Sequence, residues 1–347
     1  MSKLIVVIGA TGAQGGSVAR LFAKEPGWRV RGITRDPSKA SSVALQDLGV
    51  EMVAGDLDDP ASLRRAFAGV NALFANTDFW QFLQDPATYA EAEKKGKYPN
   101  QVAYDREVQQ GKNIVNAAAK HVNTLDRFVL STLADVKGIS KGSIEWVFHL
   151  DAKAAQAEYL KQTYPALAAK TTYLMVGFYM ANLGMKEMLH LAPAKEADGS
   201  YVLRGPPGFD SNIIPFVHPP HDVGLFTKAL LNAPAGTMML GYARQMRYAE
   251  FWKMWASIKG VELEVEIVEG EFVRGVPEWL HWEFREMQVF TTKYGFDGGV
   301  ADIKSPEELG VETALLTDLE EFMREGEDGP GTATLVDGTP FVTKKSM

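Results

Sequence analysis

The stretch VVIGATGAQGGSVARLF, residues 6–22, decides the fold. An apolar run typical of a buried strand leads into three evenly spaced glycines, Gly9, Gly12 and Gly15, and then into an amphipathic segment typical of a helix. Glycine permits tight turns and close backbone approach, and the first N–H groups of a helix have no partner within the helix. The order of strand, glycine loop and helix therefore predicts a site for the diphosphate of a dinucleotide.

Short apolar runs and helical patterns such as SVARLFAK, NIVNAAAKH and KAAQAEYLK alternate up to about residue 177. The predicted strands are KLIVVI, WRVRGIT, VEMVAGD, NALFAN, DRFVLST and TTYLMVG. Strict alternation favours parallel strands joined by right-handed crossovers. The predicted fold class is α/β, a Rossmann doubly wound parallel sheet with a smaller mixed α/β second lobe.

The alternation stops after residue 177, and this change indicates the domain organisation. We predict a dinucleotide-binding domain over residues 1–177, with late additions around 222–260. The smaller lobe would comprise residues 178–221 and 261–340, and residues 341–347 a loosely held tail.

Three later elements can be placed from their patterns. A helix is predicted over residues 222–233 with Asp222 as its cap, and another over residues 248–259. The segment AGTMMLG, residues 235–241, is predicted to be a late strand.

The overall composition excludes several classes of function. The chain has 347 residues, 46% hydrophobic and 23% charged, as is ordinary for a soluble globular protein. A formal charge of −8 opposes direct nucleic-acid binding, and the lack of cysteine excludes disulfides, thiolate metal sites and a cysteine nucleophile. The first apolar run is too short to span a bilayer, so we expect a cytoplasmic protein without membrane contact.

The pair His218 and His221 in VHPPH suggests a metal site, but we predict none. The intervening prolines are expected to prevent a shared helical face, and no cysteine or carboxylate cluster completes a ligand set.

The residues after the second strand indicate which dinucleotide binds. NAD-specific sheets have a carboxylate there, whereas this chain has Arg35 and, one helical turn on, Lys39 in TRDPSKA. Two cations suit a 2′-phosphate, so the expected cofactor is NADP(H). The alternative is that Arg35 is a solvated surface charge beside Asp36.

The third strand ends at Asp56 and Leu57, which can contact adenine through a hydrogen bond to its amino group and by packing on the ring. A competing role for this acidic segment is helix capping by Asp58 or Asp59, and the two roles are compatible.

The fourth strand ends in ANTDFW, residues 75–80. Asn76 and Thr77 are expected to border the cofactor, because ligands of doubly wound sheets bind beyond the carboxyl ends of the strands. Asp78 is a candidate acid near the reaction centre. Phe79 and Trp80 either cover the nicotinamide or the substrate, or belong to the core.

Taken together, these segments resemble the NmrA-like family, atypical members of the short-chain dehydrogenase/reductase superfamily. The matching segments extend from residue 5 to about residue 300 and include VIGATGAQGGSVA, TRDPSKA, GDLDDPASL, GVNALFANTDFW, RFVLSTLADV, HLDAKAAQAEYL, VGFYMANL, HDVG and KYGFDGG. The resemblance implies that Thr11 and Gln14 bind the cofactor together with the glycines. It also implies that the backbone at Gly177 and Phe178 contacts the nicotinamide carboxamide.

The superfamily's catalytic pair is Y-x-x-x-K, in which the tyrosine donates a proton and the lysine holds the nicotinamide ribose. In VFHLDAKAAQ the lysine is Lys153, but His149 stands in the tyrosine position. His149 is a substitute acid, a pocket-lining residue or a packing residue. Lys153 would bind the ribose, or be a plain surface lysine. Ser131 and Thr132 end the fifth strand, where the superfamily keeps a substrate-orienting hydroxyl, although they can equally bind the backbone.

A helix is predicted over VPEWLHWEFREMQVF, residues 276–290, after Pro277. Two of its faces are largely apolar, one with Trp279, Trp282, Glu286 and Phe290, the other with Leu280, Phe284 and Met287. Such a helix is usually buried between lobes. Alternatively, Trp279, Trp282 or His281 also contacts an aromatic, cationic substrate.

The sequence favours an NADPH-dependent oxidoreductase that reduces a small carbonyl or imine, including aromatic ones, in a biosynthetic pathway. An imine suits the missing tyrosine because it needs less help from a strong proton donor. One alternative is a non-catalytic NADP(H) redox sensor or regulator, which would act on a protein partner. Another is a pathway enzyme that keeps bound NADP(H) for a non-redox cyclisation or isomerisation. The partner of either enzyme is a small-molecule substrate, and the oligomeric state is open.

Overall fold

We describe the fold from a computed structural model, in which residues 2–184, 192–269 and 276–325 are described. The predicted tail, residues 341–347, lies outside these ranges. The strands are β1 Lys3–Val7, β2 Trp28–Thr34, β3 Glu51–Ala54, β4 Ala72–Ala75, β5 Arg127–Thr132, β6 Thr171–Val176, β7 Phe178–Tyr179, β8 Ala194–Lys195, β9 Tyr201–Gly205, β10 Ile213–Val217, β11 Met238–Gly241, β12 Arg244–Arg247 and β13 Leu263–Ile267.

The helices of the described residues frame these strands. They are α1 Ala13–Lys24, α2 Ala40–Gln46, α3 Pro60–Ala66, α4 Pro86–Lys95, α5 Pro99–Ala119, α6 Val136–Ile139, α7 Phe148–Thr163, α8 Pro165–Ala168, α9 Pro219–Asn232, α10 Tyr248–Lys259, α11 Glu278–Tyr294 and α12 Leu319–Glu325. Within the described ranges, no helix combines the length and the apolar character needed to cross a bilayer.

The main sheet has seven strands in the spatial order β3-β2-β1-β4-β5-β6-β11. Every neighbouring pair is parallel. The strand order reverses between β1 and β4, which is the switch point where ligands of doubly wound sheets bind. The predicted α/β fold class, a Rossmann doubly wound sheet, is confirmed.

Strand β1 lies at the centre of this sheet and is covered on both faces. Ile5 and Val7 pack in a core cluster with residues of α1 and α9. Leu4 and Val6 pack in a second cluster with residues of α3, α5 and α7. Successive side chains of a strand point to opposite faces, so one short apolar run supplies both layers.

Two smaller three-stranded sheets complete the fold, in the orders β12-β10-β7 and β13-β9-β8. Helix α10, which matches the predicted helix over residues 248–259, packs with them through Phe251 and Trp252. Phe251 stacks on Phe216 of β10 with ring centroids 4.2 Å apart. The predicted late strand over residues 235–241 is present as β11, which extends the main sheet beside β6.

The predicted start of the helix at Asp222 is wrong, because α9 begins three residues earlier at Pro219. Proline is tolerated in the first turn of a helix, where its missing N–H has no partner to lose. Asp222 lies inside this turn and accepts the backbone N–H of His218 at 2.8 Å. Pro219 and Pro220 lie in the first turn of α9, whereas His218 is its N-cap and lies outside the helix. No group of three metal-binding side chains occurs among the described residues.

Candidate functional site

The glycine loop joins β1 to α1 and is shaped by its lack of side chains. Gly9 has a φ of +66°, and its carbonyl oxygen accepts the N–H of Gly12 at 2.9 Å. A Cβ at Gly15 would lie 2.7 Å from the carbonyl oxygen of Ile8 and closer still to that of Gly9. Gly12 is the N-cap of α1 and no side chain caps the helix. The helix N-terminus is therefore open to an anion.

Two acceptors without partners lie beside this loop. Asn76 follows β4, and its Oδ1 atom would be 2.8 Å from a Cβ at Gly9. Asn76 Oδ1 and Gln14 Oε1 are both buried and accept no hydrogen bond from any described residue. Gln14 Nε2 donates to the hydroxyl of Tyr179 at 2.6 Å, and burial raises the pKa of that hydroxyl to about 12. Buried acceptors usually have a donor, so the two oxygens fit a ligand bearing hydroxyl or amide groups.

The two cations predicted to select a 2′-phosphate lie at the end of β2. Arg35 and Lys39 are exposed, and neither forms an ion pair with a described residue. The neighbouring Asp36 instead accepts the backbone N–H and the hydroxyl of Ser38, at 2.9 and 2.6 Å. These bonds lower the pKa of the Asp36 carboxyl. The Asp36 carboxylate is thus hydrogen-bonded within its own loop, and Arg35 remains available to bind an anion.

The loop after β3 is fixed against the helices around it. Asp56 Oδ1 accepts the backbone N–H of Asp58 at 2.9 Å, and the carbonyl of Leu57 accepts from Asn113 of α5 at 2.8 Å. Asp59 caps α3, as the alternative reading of this segment predicted. The adenine contact of Asp56 and Leu57 stays a prediction, and both residues are half-buried at the expected edge of the sheet.

Lys153 lies in a polar pocket between α7, α5 and the end of β4. Its Nζ atom donates to the Thr77 carbonyl at 2.7 Å and to Glu107 Oε1 at 2.5 Å. The Thr77 hydroxyl donates to the same Glu107 oxygen at 2.6 Å. Glu107 is fully buried, and its Oε2 atom accepts no hydrogen bond from a described residue. Lys153 is 12% exposed and is therefore not a plain surface lysine.

His149 lies one helical turn before Lys153 and is bound to a residue that the sequence analysis missed. Glu283 of α11 places its Oε1 atom 2.6 Å from Nδ1 of the His149 ring. The same oxygen accepts the His149 backbone N–H at 2.9 Å. Its other oxygen accepts from the Asn100 amide at 2.8 Å. Glu283 is fully buried, whereas the His149 side chain is 11% exposed.

Aromatic rings surround His149 at the end of β4. Trp80 lies 5.1 Å and Phe79 6.1 Å from the His149 ring, measured between centroids. Trp80 also stacks on Phe284 of α11 at 5.8 Å with an interplanar angle of 11°. Phe79 is buried in the core, as one alternative predicted, while Trp80 stays half-buried beside the histidine.

The aromatic helix predicted over residues 276–290 is present as α11. Trp279 is buried and packs with Leu280 and Phe284. Trp282 is half-buried and lies edge-on to Trp146 with centroids 4.6 Å apart. The core role of this helix is therefore evident, and a ligand contact by either tryptophan stays a prediction.

The two remaining catalytic candidates differ in their surroundings. Ser131 is buried at the end of β5, and its hydroxyl makes no hydrogen bond with any described residue. Its neighbour Thr132 donates to the Lys153 carbonyl at 3.3 Å. Asp78 is exposed and accepts the backbone N–H of Trp80 at 3.0 Å, so it shapes the turn that holds the tryptophan.

The backbone after β6 has most of its hydrogen bonds within the protein. Gly177 donates its N–H to the Gly241 carbonyl at 2.9 Å, and a Cβ at Gly177 would overlap the Pro215 carbonyl oxygen. Phe178 pairs with Phe216 across the small sheet. The Gly177 N–H is therefore not available to a carboxamide, and a contact at this residue would use its carbonyl group.

The doubly wound sheet, the glycine-rich first crossover and the polar groups at its switch point define a protein of the Rossmann class. The NmrA-like family model matches residues 1–323, so this chain belongs to the NmrA-like family.

Comparison with individual proteins agrees with this assignment. The chain is 33% identical over 157 residues to the NmrA-like family domain-containing oxidoreductase notA of Aspergillus sp. (strain MF297-2), a match that covers 45% of this chain and 41% of notA. The chain thus spans about two fifths of that relative. Two further relatives with the same description, hkm9 of Aspergillus hancockii and lnbB of Aspergillus flavus, are 27% and 29% identical and are matched over 64% and 66% of their length.

Two solved structures show the shared fold. Nmra, a negative transcriptional regulator solved in complex with NADP, has a TM-score of 0.67 and 19% identity, covering 93% of this chain and 95% of that chain. Citrobacter sp. triphenylmethane reductase, complexed with NADP(H), has a TM-score of 0.60 and 20% identity, covering 92% and 98%.

Proposed function

We propose that this chain is an NADP(H)-dependent oxidoreductase that reduces small carbonyl or imine compounds, aromatic ones among them, in a biosynthetic pathway. The observation that carries the proposal is the glycine loop, where the buried oxygens of Asn76 and Gln14 have no hydrogen-bond donor among the described residues and lie beside an uncapped helix N-terminus. A diphosphate fits the helix N-terminus, and the donors of a dinucleotide fit the two acceptors.

Other residues would hold the rest of the cofactor. Arg35 and Lys39 would bind the 2′-phosphate, because guanidinium and ammonium groups suit a phosphate and no carboxylate competes for Arg35 among the described residues. Asp56 and Leu57 would contact adenine. When bound, NADPH supplies a hydride to the substrate.

The substrate would lie beside His149, between the ends of β4 and β5. The rings of Trp80 and Phe284 form an apolar wall next to this histidine, which suits an aromatic substrate. The Ser131 hydroxyl, which no described residue engages, can orient a carbonyl oxygen or imine nitrogen. Lys153 would bind the nicotinamide ribose.

The names of similar proteins support this proposal. The relative notA is named an oxidoreductase, and the two structural neighbours were solved with NADP and NADP(H). One of these neighbours is a reductase of triphenylmethane compounds, a name that indicates an aromatic substrate for that protein.

A non-catalytic NADP(H) sensor is the second candidate, and the hydrogen bonds of Lys153 favour it. Glu107 and Thr77 already accept from its ammonium group, so the lysine is engaged in the protein itself. The structural neighbour Nmra is a negative transcriptional regulator. In this role the chain would bind NADP(H) and change its contacts with a protein partner.

The experiment that separates the two functions is NADPH oxidation at 340 nm with a panel of aryl ketones, cyclic imines and quinones. Consumption of NADPH that depends on the acceptor, with stoichiometric reduced product, supports the oxidoreductase. Tight binding of NADPH without turnover of any acceptor would favour the sensor. The variant His149→Phe, measured in parallel, tests whether the histidine takes part in turnover.

A further inference from the structure

We infer that Glu283, assisted by Asn100, is a positioning residue that keeps Nδ1 of His149 protonated in both charge states of the ring, so that the doubly protonated ring delivers its second proton from Nε2 to a neutral carbonyl or imine. This inference rests on the proposed oxidoreductase function. It concerns residues on three different helices, α5, α7 and α11, which meet only in the folded chain.

The hydrogen bonds around Glu283 determine which ring nitrogen carries the proton. Oε1 accepts the backbone N–H of His149, and Oε2 accepts from the Asn100 amide. An ionised carboxylate only accepts hydrogen bonds, so the ring atom 2.6 Å from Oε1 must be the donor. The His149 ring is therefore fixed as the Nδ1–H form whenever it is neutral.

The same carboxylate also stabilises the start of α7. The N-cap of this helix is Val147, which has no side-chain cap, so the first N–H groups need acceptors from elsewhere. Glu283 supplies one for His149, and Glu286, one turn along α11, accepts the N–H groups of Glu145 and Trp146 at 2.7 and 2.8 Å. Helix α11 is thus bound to the first turn of α7 by Glu283 and to the segment just before α7 by Glu286, and only Glu283 contacts the ring.

The other ring nitrogen is left for a ligand. His149 Nε2 makes no hydrogen bond with any described residue, and the ring lies beside Trp80 and Phe79 at the end of β4. His149 precedes Lys153 by one helical turn, the separation at which the superfamily places its proton donor. Within the described ranges Glu283 forms no ion pair with a lysine or arginine. Its carboxylate therefore faces the His149 ring alone when both ring nitrogens carry protons.

The role of this arrangement depends on the charge of the acceptor. With a ketone, the electron pair of the hydride forms the new C–H bond and the C=O π pair moves to oxygen. That oxygen takes the proton from Nε2 of the doubly protonated His149 ring. The ring becomes neutral in the Nδ1–H form and regains a proton from solvent. With a quaternary iminium ion, the π pair neutralises the nitrogen and no proton is needed. Glu283 therefore matters for neutral acceptors only.

A matched pair of bicyclic acceptors tests this distinction. NADPH oxidation is measured with 1-tetralone, a neutral ketone, and with the N-methyl-3,4-dihydroisoquinolinium cation, which has similar size. In Glu283→Gln and in His149→Phe we expect kcat for the ketone to fall by about 10²-fold or more, since general acid catalysis contributes on that order. The rate with the cation should stay within about threefold, because its reduction requires no proton.

Glu286→Gln is the control, because it loosens the contact between α11 and the segment just before α7 without touching the ring. It should affect both acceptors equally and weakly. If Glu283→Gln lowered the two rates by the same factor, its role would be purely structural and the inference would be overturned.

A second measurement needs no substrate and reads the tautomer from the wild-type protein. Long-range 1H–15N NMR of wild-type protein with 15N-labelled histidine reports the tautomer of each neutral ring, and the signal that His149→Phe removes identifies His149. We expect a protonated Nδ1 and an unprotonated Nε2. The opposite tautomer would overturn the inference. Failure of both acceptors to oxidise NADPH would instead contradict the proposed function and leave the tautomer result to stand by itself.

Discussion

The buried ion pair between Lys153 and Glu107 allows a quantitative test of how the site is built. Glu107 is fully buried and Lys153 is 12% exposed, with Nζ and Oε1 2.5 Å apart. Lys153→Met would leave the carboxylate with one donor, the Thr77 hydroxyl. Removing one partner of a buried pair costs about 3–5 kcal/mol, a large part of the roughly 5–15 kcal/mol that stabilises a typical domain.

Replacing both charges should cost much less than the sum of the single changes. Glu107→Gln would leave the ammonium group without its counter-charge, whereas the double variant Lys153→Met with Glu107→Gln contains no unpaired charge. We expect the free energy of unfolding of the double variant to exceed, by about 2 kcal/mol or more, the value obtained by adding the losses of the two single variants. Urea denaturation followed by tryptophan fluorescence gives all four free energies.

An exposed pair serves as the control for this cycle. Lys95 and Glu91 are also 2.5 Å apart, but their side chains are 48% and 37% exposed. Their coupling should not exceed about 0.5 kcal/mol, as in other exposed helix pairs. If the changes at Lys153 and Glu107 were additive within about 0.5 kcal/mol, the reasoning on the buried pair would be refuted.

Three further predictions concern the loop, the cofactor and pH. Gly15→Ala places a methyl group against the Gly9 carbonyl, so we expect the free energy of unfolding to drop by about 1–3 kcal/mol and NADPH binding to weaken. At Gly16 a Cβ would lie 2.9 Å from the flexible end of the Arg20 side chain and 3.3 Å from the Ala10 carbonyl oxygen, so Gly16→Ala should be tolerated better than Gly15→Ala in the same melts and titrations. Arg35→Ala should raise the Kd of NADPH about tenfold and leave that of NADH unchanged in fluorescence titrations. Burial raises the pKa of Asp151 from 3.8 to about 6, so the folded state holds this proton more tightly and stability should fall as pH rises from about 4 to 6. Asp151→Asn should remove this fall and stabilise the protein at pH 7 by up to about 3 kcal/mol. If the urea midpoint of the variant depended on pH in the same way as that of the wild type, this prediction would be contradicted.

Local patterns in the sequence predict the main features of the fold because their causes are local. The spacing of Gly9, Gly12 and Gly15 reflects a positive φ and a close backbone approach, both of which arise within one crossover. The six predicted strands and the helix over residues 248–259 follow from periodicity in the same way. The misplaced start of α9 also had a local cue, since proline at Pro219 is typical of a first turn.

The carboxylates of the site could not be predicted, because their partners are distant in the sequence. Glu107 lies 46 residues from Lys153, and Glu283 lies 134 residues from His149. One cue existed for Glu107. It lies one helical turn after Ala103 in α5, and both residues are buried, so Glu107 is a charge on an apolar helix face. Such a charge indicates a buried partner, but only tertiary packing shows which residue that is.

The most direct test of the account is isothermal titration calorimetry of purified wild-type protein with NADPH and, separately, with NADH. The account predicts saturable binding of NADPH, with NADH weaker by about tenfold or more because it lacks the phosphate for Arg35 and Lys39. Equal affinities would contradict the role of these two cations. No detectable binding of either coenzyme would contradict the central claim that the glycine loop between β1 and α1 binds a dinucleotide.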